Sequence, residues 1–293
     1  MQIYSGSSNP ALAASLSKHL GAQLGRVQYT RFESDESRAY ITETHVEKNV
    51  IVVQSLSMSA DRHLMELLTL SDALLRRGAR KITAVIPYMG YARQNQVFRE
   101  GESLSAEVVA RVLATGRFAR IITFDIHSNN IISMYPVPVI SLSPISLFSG
   151  YIKKQNTVIV APDGGATTKV KELAKVLKVK TVTLTKERNR TTGKVKLQHG
   201  SGAISGKNAI IVDDMIATGE TILQSTEYLH HQGAQSVTVF ATHFLGVPGV
   251  ADKLQTSPID RVVITNTITQ VALPAKFAVI DCASVLAEAL AQS

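Results

Sequence analysis

The stretch from residue 209 to residue 222, AIIVDDMIATGETI, combines two features whose charges conflict. An apolar strand leads into a tight turn and a helix start, where N–H groups near Thr218 and Gly219 can bind a phosphate. Asp213 and Asp214 precede this turn; they would repel a phosphate, but they accept hydrogen bonds from vicinal hydroxyls. A ligand with a phosphate and a diol, such as ribose 5-phosphate, satisfies both features. The alternative is that the two aspartates only cap the helix.

Three further polar clusters follow predicted strands. Asp125 and His127 end one strand, Asp163 follows another, and Lys186 and Arg188 end a third. Ligands of parallel α/β sheets bind beyond the carboxyl ends of the strands, so four such clusters favour a binding edge. Each cluster also has a simpler interpretation, because a lone histidine is more often structural and the two cations could be surface charge.

Apolar runs and amphipathic segments alternate along the chain. In the first half the pattern predicts strands and helices, in chain order, at 49–56, 61–79, 81–89, 103–115 and 120–126. In the second half it predicts elements at 157–166, 167–178, 180–187, 221–232, 236–243 and 261–267. KVKLQHG and GAISGKNAIIV are predicted to form an added hairpin that leads to the motif strand. This alternation indicates an α/β fold with mainly parallel sheets flanked by helices.

The repeated pattern predicts two similar domains, residues 1–145 and residues 146–293. The second domain carries the motif with the two aspartates. The ending SVLAEALAQ, residues 284–292, predicts a short helix that could pack on either domain.

Charge narrows the classes of partner. The chain has a net charge of +8, and between Ala166 and Lys196 it carries ten Lys or Arg against two Glu. Nucleic acid or a highly phosphorylated small molecule would match this excess, although Lys171, Lys175 and Lys178 also fit a solvated helix face. Because the stretch lacks the interleaved aromatic residues of a stacking surface, we expect no nucleic-acid partner.

Other features exclude several classes of protein. The single cysteine, Cys282, allows no internal disulfide, and MQIYSGSSNP lacks the regions of a signal peptide. The uncharged segment 126–152 contains three prolines and many serines, which is typical of loops and strands. We therefore expect a cytoplasmic protein with no membrane partner. The segment GAISGKN, residues 202–208, has the wrong spacing for a Walker-type ATP site.

The motif residues also carry a family resemblance. VDDMIATGET resembles the phosphoribosyl pyrophosphate binding motif of type I phosphoribosyltransferases and of ribose-phosphate pyrophosphokinases. The second family is the better match, because similarity extends through YSGSSNPALA, MELLTLSDALLRRGARKITAVIPYMGYARQ, FDIHS, APDGGA, TKER and ATHFL. The resemblance implies two phosphoribosyltransferase-like domains. It also implies transfer of the β,γ-diphosphoryl group of ATP to the C1 hydroxyl of ribose 5-phosphate, giving phosphoribosyl pyrophosphate and AMP.

The same resemblance implies roles in the second domain. Asp213 and Asp214 would hold the ribose hydroxyls, and Lys186 and Arg188 match two catalytic cations on a mobile loop. The residues that would hold the 5-phosphate are consecutive: Ala217, Thr218, Gly219, Glu220 and Thr221.

Further roles concern ATP, metal and assembly. The resemblance implies Mg²⁺ as the cofactor, with His127 and Asp163 at magnesium-associated positions. It implies that a loop of a neighbouring subunit completes each site, so that the chain forms a homo-oligomer. The smallest assembly that completes a site is a dimer, and a hexamer is the larger candidate. The residues that match ATP contacts are Phe32, Glu36, Arg93, Gln94 and His127.

Three features depart from the family pattern. The family usually reads Phe-x-Asp-Gly-Glu where this chain has FESDE, residues 32–36, which changes the expected adenine contacts. Glu220 stands where glycine is common and adds negative charge beside the phosphate. NQVFREGESLS, residues 95–105, resembles shorter archaeal-like members and predicts activity without inorganic phosphate. Two other functions stay open, namely a catalytically inactive regulatory paralogue and a type I phosphoribosyltransferase.

Overall fold

The computed structural model describes residues 1–188, 195–199 and 203–292. The chain divides into two compact units that are not continuous in sequence. The first unit contains Met1–Ser143, Asn266–Thr269 and the C-terminal segment from Asp281. The second unit contains Pro144–Thr265 and Gln270–Ile280.

The described residues form fifteen strands and eight α-helices. In chain order these are β1 (Gln2–Ser5), α1 (Pro10–Leu20), β2 (Gln23–Leu24), β3 (Val27–Arg31), β4 (Ser37–Ile41), β5 (Asn49–Val53), α2 (Ala60–Arg76), β6 (Lys81–Ile86), α3 (Ser105–Ala114), β7 (Arg120–Phe124), β8 (Val139–Leu142), α4 (Ile145–Tyr151), β9 (Thr157–Ala161), α5 (Thr167–Leu177), β10 (Lys180–Arg188), β11 (Val195–His199), β12 (Asn208–Ile216), α6 (Glu220–His231), β13 (Ser236–Phe244), α7 (Val250–Thr256), β14 (Arg261–Thr265), β15 (Phe277–Ile280) and α8 (Ala283–Ala291). A 3₁₀ helix, Asn129–Met134, lies between β7 and β8.

The sheet of the first unit is entirely parallel. Its six strands lie in the order β2, β1, β5, β6, β7, β8. Leucines on one face of α2, with apolar residues of α3, pack against one face of this sheet in a common core. The strands β3 and β4 form a separate antiparallel hairpin that packs on α2.

The sheet of the second unit has seven strands in the order β11, β10, β9, β12, β13, β14, β15. All neighbours are parallel except β10 and β11, which form an antiparallel hairpin. The helices α4 and α5 cover one face of the sheet, and α6 and α7 cover the other. Strands buried on both faces explain why β9 and β12 read as continuous apolar runs.

Local sequence signals set the helix bounds. Helix α1 begins after Asn9, whose side chain accepts a hydrogen bond from the N–H of Leu12 at 3.2 Å, and Pro10 is its first residue. It ends at Gly21, whose φ of 58° is left-handed and favours glycine. Helix α5 buries an apolar stripe at helical spacing against the sheet, namely Val170, Leu173, Ala174 and Leu177.

The C-terminal helix resolves a choice that the sequence leaves open. Helix α8 packs against α1 in the first unit, although the strands before it belong to the second. Asp281 fixes its start by accepting hydrogen bonds from the Asn266 side chain and the Ala283 N–H, at 2.8 and 2.9 Å.

Most of the predicted elements are present, and the α/β fold class is confirmed. The predicted hairpin, however, is wrong in its partners. KVKLQHG contributes β11, which pairs with β10, while β12 lies between β9 and β13. The alternation of threonine with apolar residues in β10 favours a long strand that provides this partner. In the described part of the chain, no helix is both long and apolar enough to span a membrane.

Candidate substrate site

The predicted polar residues of the second unit lie at one edge of its sheet. Strand β9 has parallel neighbours on both sides, β10 and β12. Ile211 lies beside Val160 in the register of β12 and β9, so Asp213 and Asp163 both lie beyond the paired segment at the carboxyl end. The structure therefore brings the clusters of Asp163 and Asp213 together, as the sequence predicts.

The acidic pair, Asp213 and Asp214, lies near the end of β12 and is half-buried. The backbone N–H of Asp214 donates to Oδ1 of Asp213 at 2.9 Å, so the main chain orients the first carboxylate. Burial, followed by the negative charges of Asp214 and Asp163, raises the pKa of Asp213 to about 8. The site therefore favours a proton, a cation or hydroxyl donors beside this carboxylate.

The phosphate turn, residues 217–221, follows the acidic pair directly. Gly219 has a φ of 76° and precedes the first residue of α6, so glycine suits this backbone. An added Cβ would lie 3.4 Å from Leu254 and 3.5 Å from Val250, which makes the position close-packed as well. Gly219 has no side chain to cap the helix, and the N-terminus of α6 thus suits an anion.

Asp163 closes the turn between β9 and α5. Its Oδ1 accepts from the backbone N–H groups of Gly165 and Ala166, at 2.9 and 3.3 Å. The second carboxylate oxygen, Oδ2, makes no hydrogen bond to the described residues. One oxygen thus fixes the side chain, and the other suits a cation.

Lys186 and Arg188 lie on β10, although the resemblance implies a loop. Their backbones pair with Leu197 and Val195 of β11. The structure describes only the backbone at both positions, and residues 189–194 lie outside the described residues. Strand β10 neighbours β9, so both residues follow the carboxyl end of its parallel segment.

The residues predicted to contact ATP lie in the first unit. Arg93 is exposed on the segment after β6, and His127 is exposed three residues after β7, the neighbouring strand. The backbone N–H of Gln94 donates to the Tyr91 carbonyl, and the Gln94 carbonyl accepts from the N–H of Ala106, with N···O distances of 3.2 Å in both. His127 follows the carboxyl end of β7, where the sequence predicts it, and the structure places Arg93 and Gln94 after the end of the adjacent strand β6.

Phe32 and Glu36 lie at the tip of the β3–β4 hairpin. The N–H of Phe32 donates to the Glu36 carbonyl at 3.1 Å, and the Phe32 side chain is 54% exposed. Asp35, where the family usually has glycine, adopts a left-handed φ of 67°, and its carboxylate pairs with Arg31. Aspartate tolerates this conformation, so the hairpin keeps a glycine-like backbone despite the substitution.

Known proteins resemble this chain along most of its length. Residues 1–116 match the model of the N-terminal domain of ribose phosphate pyrophosphokinase, and residues 194–292 match that of the phosphoribosyl synthetase-associated domain. A ribose-phosphate pyrophosphokinase of Burkholderia pseudomallei is 35% identical over 272 residues, covering 92% of this chain and 85% of the relative. The Ralstonia nicotianae enzyme of the same name is 36% identical, with 92% and 86% covered. The chain belongs to the ribose-phosphate pyrophosphokinase family.

A solved structure supports the same assignment. The phosphoribosylpyrophosphate synthetase from Mycobacterium smegmatis superposes with a TM-score of 0.90 at 29% identity, covering 99% of this chain and 97% of that one. The family and fold predicted from the sequence are confirmed. The resemblance to archaeal-like members, within the ribose-phosphate pyrophosphokinase family, stays a prediction.

The predicted metal residues of this pyrophosphokinase family member lie in different units. His127 belongs to the first unit and Asp163 to the second. Among residues 1–188, 195–199 and 203–292, no group of three or more His, Cys, Asp or Glu side chains is arranged to hold a metal ion. A magnesium site would therefore need oxygen atoms from a ligand or water as well as the protein.

Two features escape the sequence-based predictions. The Ser105 hydroxyl at the start of α3 donates to Oε1 of Gln94 at 2.5 Å, which leaves the Gln94 amide N–H groups to face other acceptors. Its signal is only a serine at a helix start. The second is a hydrogen-bonded group around the buried side chains of Glu66 and Gln54, which we call the Glu66 cluster: Glu66, Ser7, Ser8, Gln54 and Arg62.

The Glu66 cluster lies beside the carboxyl ends of β1 and β5. Glu66 is 2% exposed and accepts hydrogen bonds from Ser7, from Gln54 at 3.1 Å and from Arg62 at 2.9 Å. Burial opposes its ionisation, but these three donors outweigh burial and lower its pKa. A charged residue on a predicted helix gives no signal that it will be buried.

Proposed function

We propose that this chain is a ribose-phosphate diphosphokinase. It transfers the β,γ-diphosphoryl group of ATP to the C1 hydroxyl of ribose 5-phosphate, which yields phosphoribosyl pyrophosphate and AMP. The observation that carries the proposal is the acidic pair placed directly before the phosphate turn on β12 and α6. This arrangement suits a phosphate and a diol a few ångströms apart in one ligand.

The two ends of the sugar phosphate bind to parts of the site with opposite charge preferences. The N-terminus of α6 and the phosphate turn hold the 5-phosphate, since backbone N–H groups and the helix dipole favour an anion. Asp213 and Asp214 accept hydrogen bonds from the vicinal hydroxyls. These hydroxyls stabilise the ionised form of Asp213, whose pKa the free site raises, so sugar binding is expected to release protons.

The triphosphate of ATP requires cations. Arg93 supplies one, and the Gln94 amide N–H groups, oriented by Ser105, provide donors to an acceptor on the nucleotide. Asp163 fits Mg²⁺ by its chemistry, because magnesium prefers carboxylate oxygen and one Asp163 oxygen is already fixed by the main chain. His127 fits an outer position better, where it donates to phosphate or water. Bound Mg²⁺ supplies charge neutralisation and orientation of the triphosphate.

The transfer step needs positioning and charge stabilisation more than a nucleophilic side chain. The C1 oxygen of the sugar bonds to the β-phosphorus, the bond from that phosphorus to the α,β-bridging oxygen breaks, and AMP leaves with the bridging oxygen. The proton of the C1 hydroxyl passes to water. Lys186 and Arg188, beyond the parallel segment of β10, neutralise the charge that develops on the phosphate oxygens.

Assembly and location are part of the proposal. The exposed Phe32 at the tip of the β3–β4 hairpin suits contact with the adenine bound to a neighbouring subunit, so the active form is a homo-oligomer. A dimer is the minimum and a hexamer the alternative. The predicted domain 146–293 binds the sugar phosphate through its part in the second unit. The predicted domain 1–145 corresponds to the first unit, to which Asn266–Thr269 and the segment from Asp281 also belong. The enzyme is cytoplasmic.

The identity of the nucleotide product tests the reaction. Purified protein is incubated with ATP, Mg²⁺ and ribose 5-phosphate, and the nucleotides are resolved by chromatography. We expect AMP to appear one for one with phosphoribosyl pyrophosphate, and EDTA to abolish it. Stoichiometric ADP would contradict diphosphoryl transfer. Binding of both substrates without turnover would favour the inactive paralogue, and pyrophosphate release with a base in place of ATP would favour a phosphoribosyltransferase.

Regulation is tested in the same assay. The segment 95–105 predicts activity in phosphate-free buffer and little inhibition by ADP beyond its competition with ATP. An absolute requirement for inorganic phosphate would show that this segment was interpreted wrongly.

A further inference from the structure

One face of the second unit carries an unusual concentration of lysine. Helices α4 and α5 pack on the same face of the sheet, and six exposed lysines lie on α5 or on the segments flanking the two helices. We call these residues the lysine surface: Lys153, Lys154, Lys171, Lys175, Lys178 and Lys180.

These lysines lack protein partners. Within residues 1–188, 195–199 and 203–292, none of the six makes an ion pair or a side-chain hydrogen bond, whereas five arginines of the first unit pair with carboxylates. Lys171 and Lys175 are four residues apart on α5, and Lys178 follows three residues later. Like charges at this spacing repel one another on a helix, so an external anion would relieve the repulsion.

The opposite face of the same sheet has the opposite balance. Between residues 220 and 260, which include α6 and α7, the chain has four Asp or Glu and one Lys. Between residues 144 and 185, which include α4 and α5, it has seven Lys, no Arg and two acidic residues. The positive charge is therefore concentrated on one face and is not a general property of the unit.

The chemistry of the surface distinguishes between anionic partners. Lysine is depleted at protein–protein interfaces, and without arginine the surface has no forks for bidentate carboxylate or base contacts. Lysine instead contacts phosphates as a point charge. Lys171 and Lys175 lie about one turn apart on α5 and Lys178 follows its last residue, and a row of charges of this kind suits a chain of phosphates better than a single phosphate. Tyr151, at the end of α4, is 57% exposed and offers a ring for base stacking.

We propose that the lysine surface binds the phosphate backbone of single-stranded nucleic acid without reading its sequence. This proposal differs from the expectation from sequence, which rested on the lack of aromatic residues within the basic stretch. Tyr151 lies before that stretch and on a helix that packs against α5. Binding of this kind depends on released counterions and must weaken steeply with salt.

The test is fluorescence anisotropy with the full chain and labelled oligouridine and oligoadenine of about 20 nucleotides, over about 25 to 200 mM salt. The variant Lys171→Glu plus Lys175→Glu is compared with Lys81→Glu plus Lys253→Glu, a control with the same change of charge at exposed lysines elsewhere. Wild type is expected to bind both oligonucleotides alike, with log affinity falling against log salt with a slope of about −2 to −3 for three or four contacts. In the Lys171→Glu plus Lys175→Glu variant, affinity should fall about tenfold or more, and the slope of log affinity against log salt should become about 1.4 less steep. In the control variant, affinity should fall less than about threefold.

Three outcomes would overturn the proposal. These are no binding by wild type at the lowest salt, equal loss in the two double variants, and binding to vesicles of anionic lipid without binding to either oligonucleotide. Melting temperatures near that of wild type in both variants show that the fold is intact. Because the readout is binding alone, the result does not depend on the proposed catalytic activity.

Discussion

The carboxyl ends of the strands carry different polar groups in the two sheets. In the first unit, the ends of β1 and β5 are occupied by groups of the chain itself. The Glu66 cluster lies there, and Asn9 and Ser55 donate to main-chain carbonyls of Asn266 and Thr267. In the second unit, the ends of β9 and β12 carry Asp163, the acidic pair and an uncapped helix start.

The difference teaches that the fold alone does not create a ligand site. Buried polar groups that satisfy one another stabilise a unit and have little left for a ligand. Carboxylates that repel one another, as at the carboxyl edge of the second sheet, are stabilised when a hydrogen-bond donor or a cation binds between them. The pKa values express this contrast, because the cluster lowers the pKa of Glu66 while the second edge raises the pKa of Asp213.

The largest expected effect lies at the second edge. Lys186→Ala and Arg188→Ala should each lower kcat by about 10²–10³-fold, since an electrostatic contact to the transition state typically contributes that much. The KM for each substrate should change less. Lys180→Ala, at the amino end of the same strand, is the matched control and should keep near-normal kcat. Near-normal kcat in both site variants would place the catalytic cations elsewhere.

A substitution in the Glu66 cluster, at the carboxyl edge of the first sheet, should lower the stability of the fold. Glu66→Ala leaves Ser7 and Arg62 without their acceptor and removes one of the two acceptors of the Gln54 amide. It should lower the free energy of unfolding by about 2–4 kcal/mol. Differential scanning calorimetry measures the loss as a lower Tm. Glu107→Ala, which removes an exposed pair with Arg111 at 3.9 Å, is the control and should cost less than about 1 kcal/mol. Equal effects of the two substitutions would show that the Glu66 cluster has no special role.

The two edges should respond to pH in opposite directions. Asp213 is easier to protonate in the folded chain, so its contribution to stability is present at low pH and is lost as pH rises towards about 8. Glu66 is harder to protonate, so its contribution is lost as pH falls through its lowered pKa. Without ligands, Asp213→Asn should therefore raise Tm at pH about 8 by a few degrees and have little effect near pH 4. Thermal melts across pH check this, and a lower Tm at high pH would contradict it.

The smallest expected effect concerns Glu220, the exposed first residue of α6. Its charge should oppose the 5-phosphate, so Glu220→Gln should lower the KM for ribose 5-phosphate by about two- to threefold, as is typical of exposed charges. The KM for ATP serves as the internal control and should stay constant. A higher KM for the sugar phosphate would mean that Glu220 assists binding.

Sequence was sufficient for features that depend on local pattern. The apolar runs of β9 and β12 and the glycine turn before α6 predict the second edge, because each signal lies within a few residues. The Glu66 cluster and the return of α8 to the first unit depend on residues far apart in the chain, and no periodicity reports such pairing. The predicted pairing of KVKLQHG with GAISGKNAIIV is wrong, because the partner of a strand depends on the arrangement of the whole sheet and not on the neighbouring sequence alone.

The most direct test of the contrast is the stoichiometry of sugar-phosphate binding. Isothermal titration of ribose 5-phosphate into the chain, with Mg²⁺ present, should give one site for each chain. Asp213→Asn plus Asp214→Asn should weaken this site by about 100-fold or more, as expected for the loss of several charge-assisted hydrogen bonds. The affinity for ATP should change little in the same variant. Unchanged affinity for ribose 5-phosphate in the double variant, or two sites for each chain in wild type, would contradict the account.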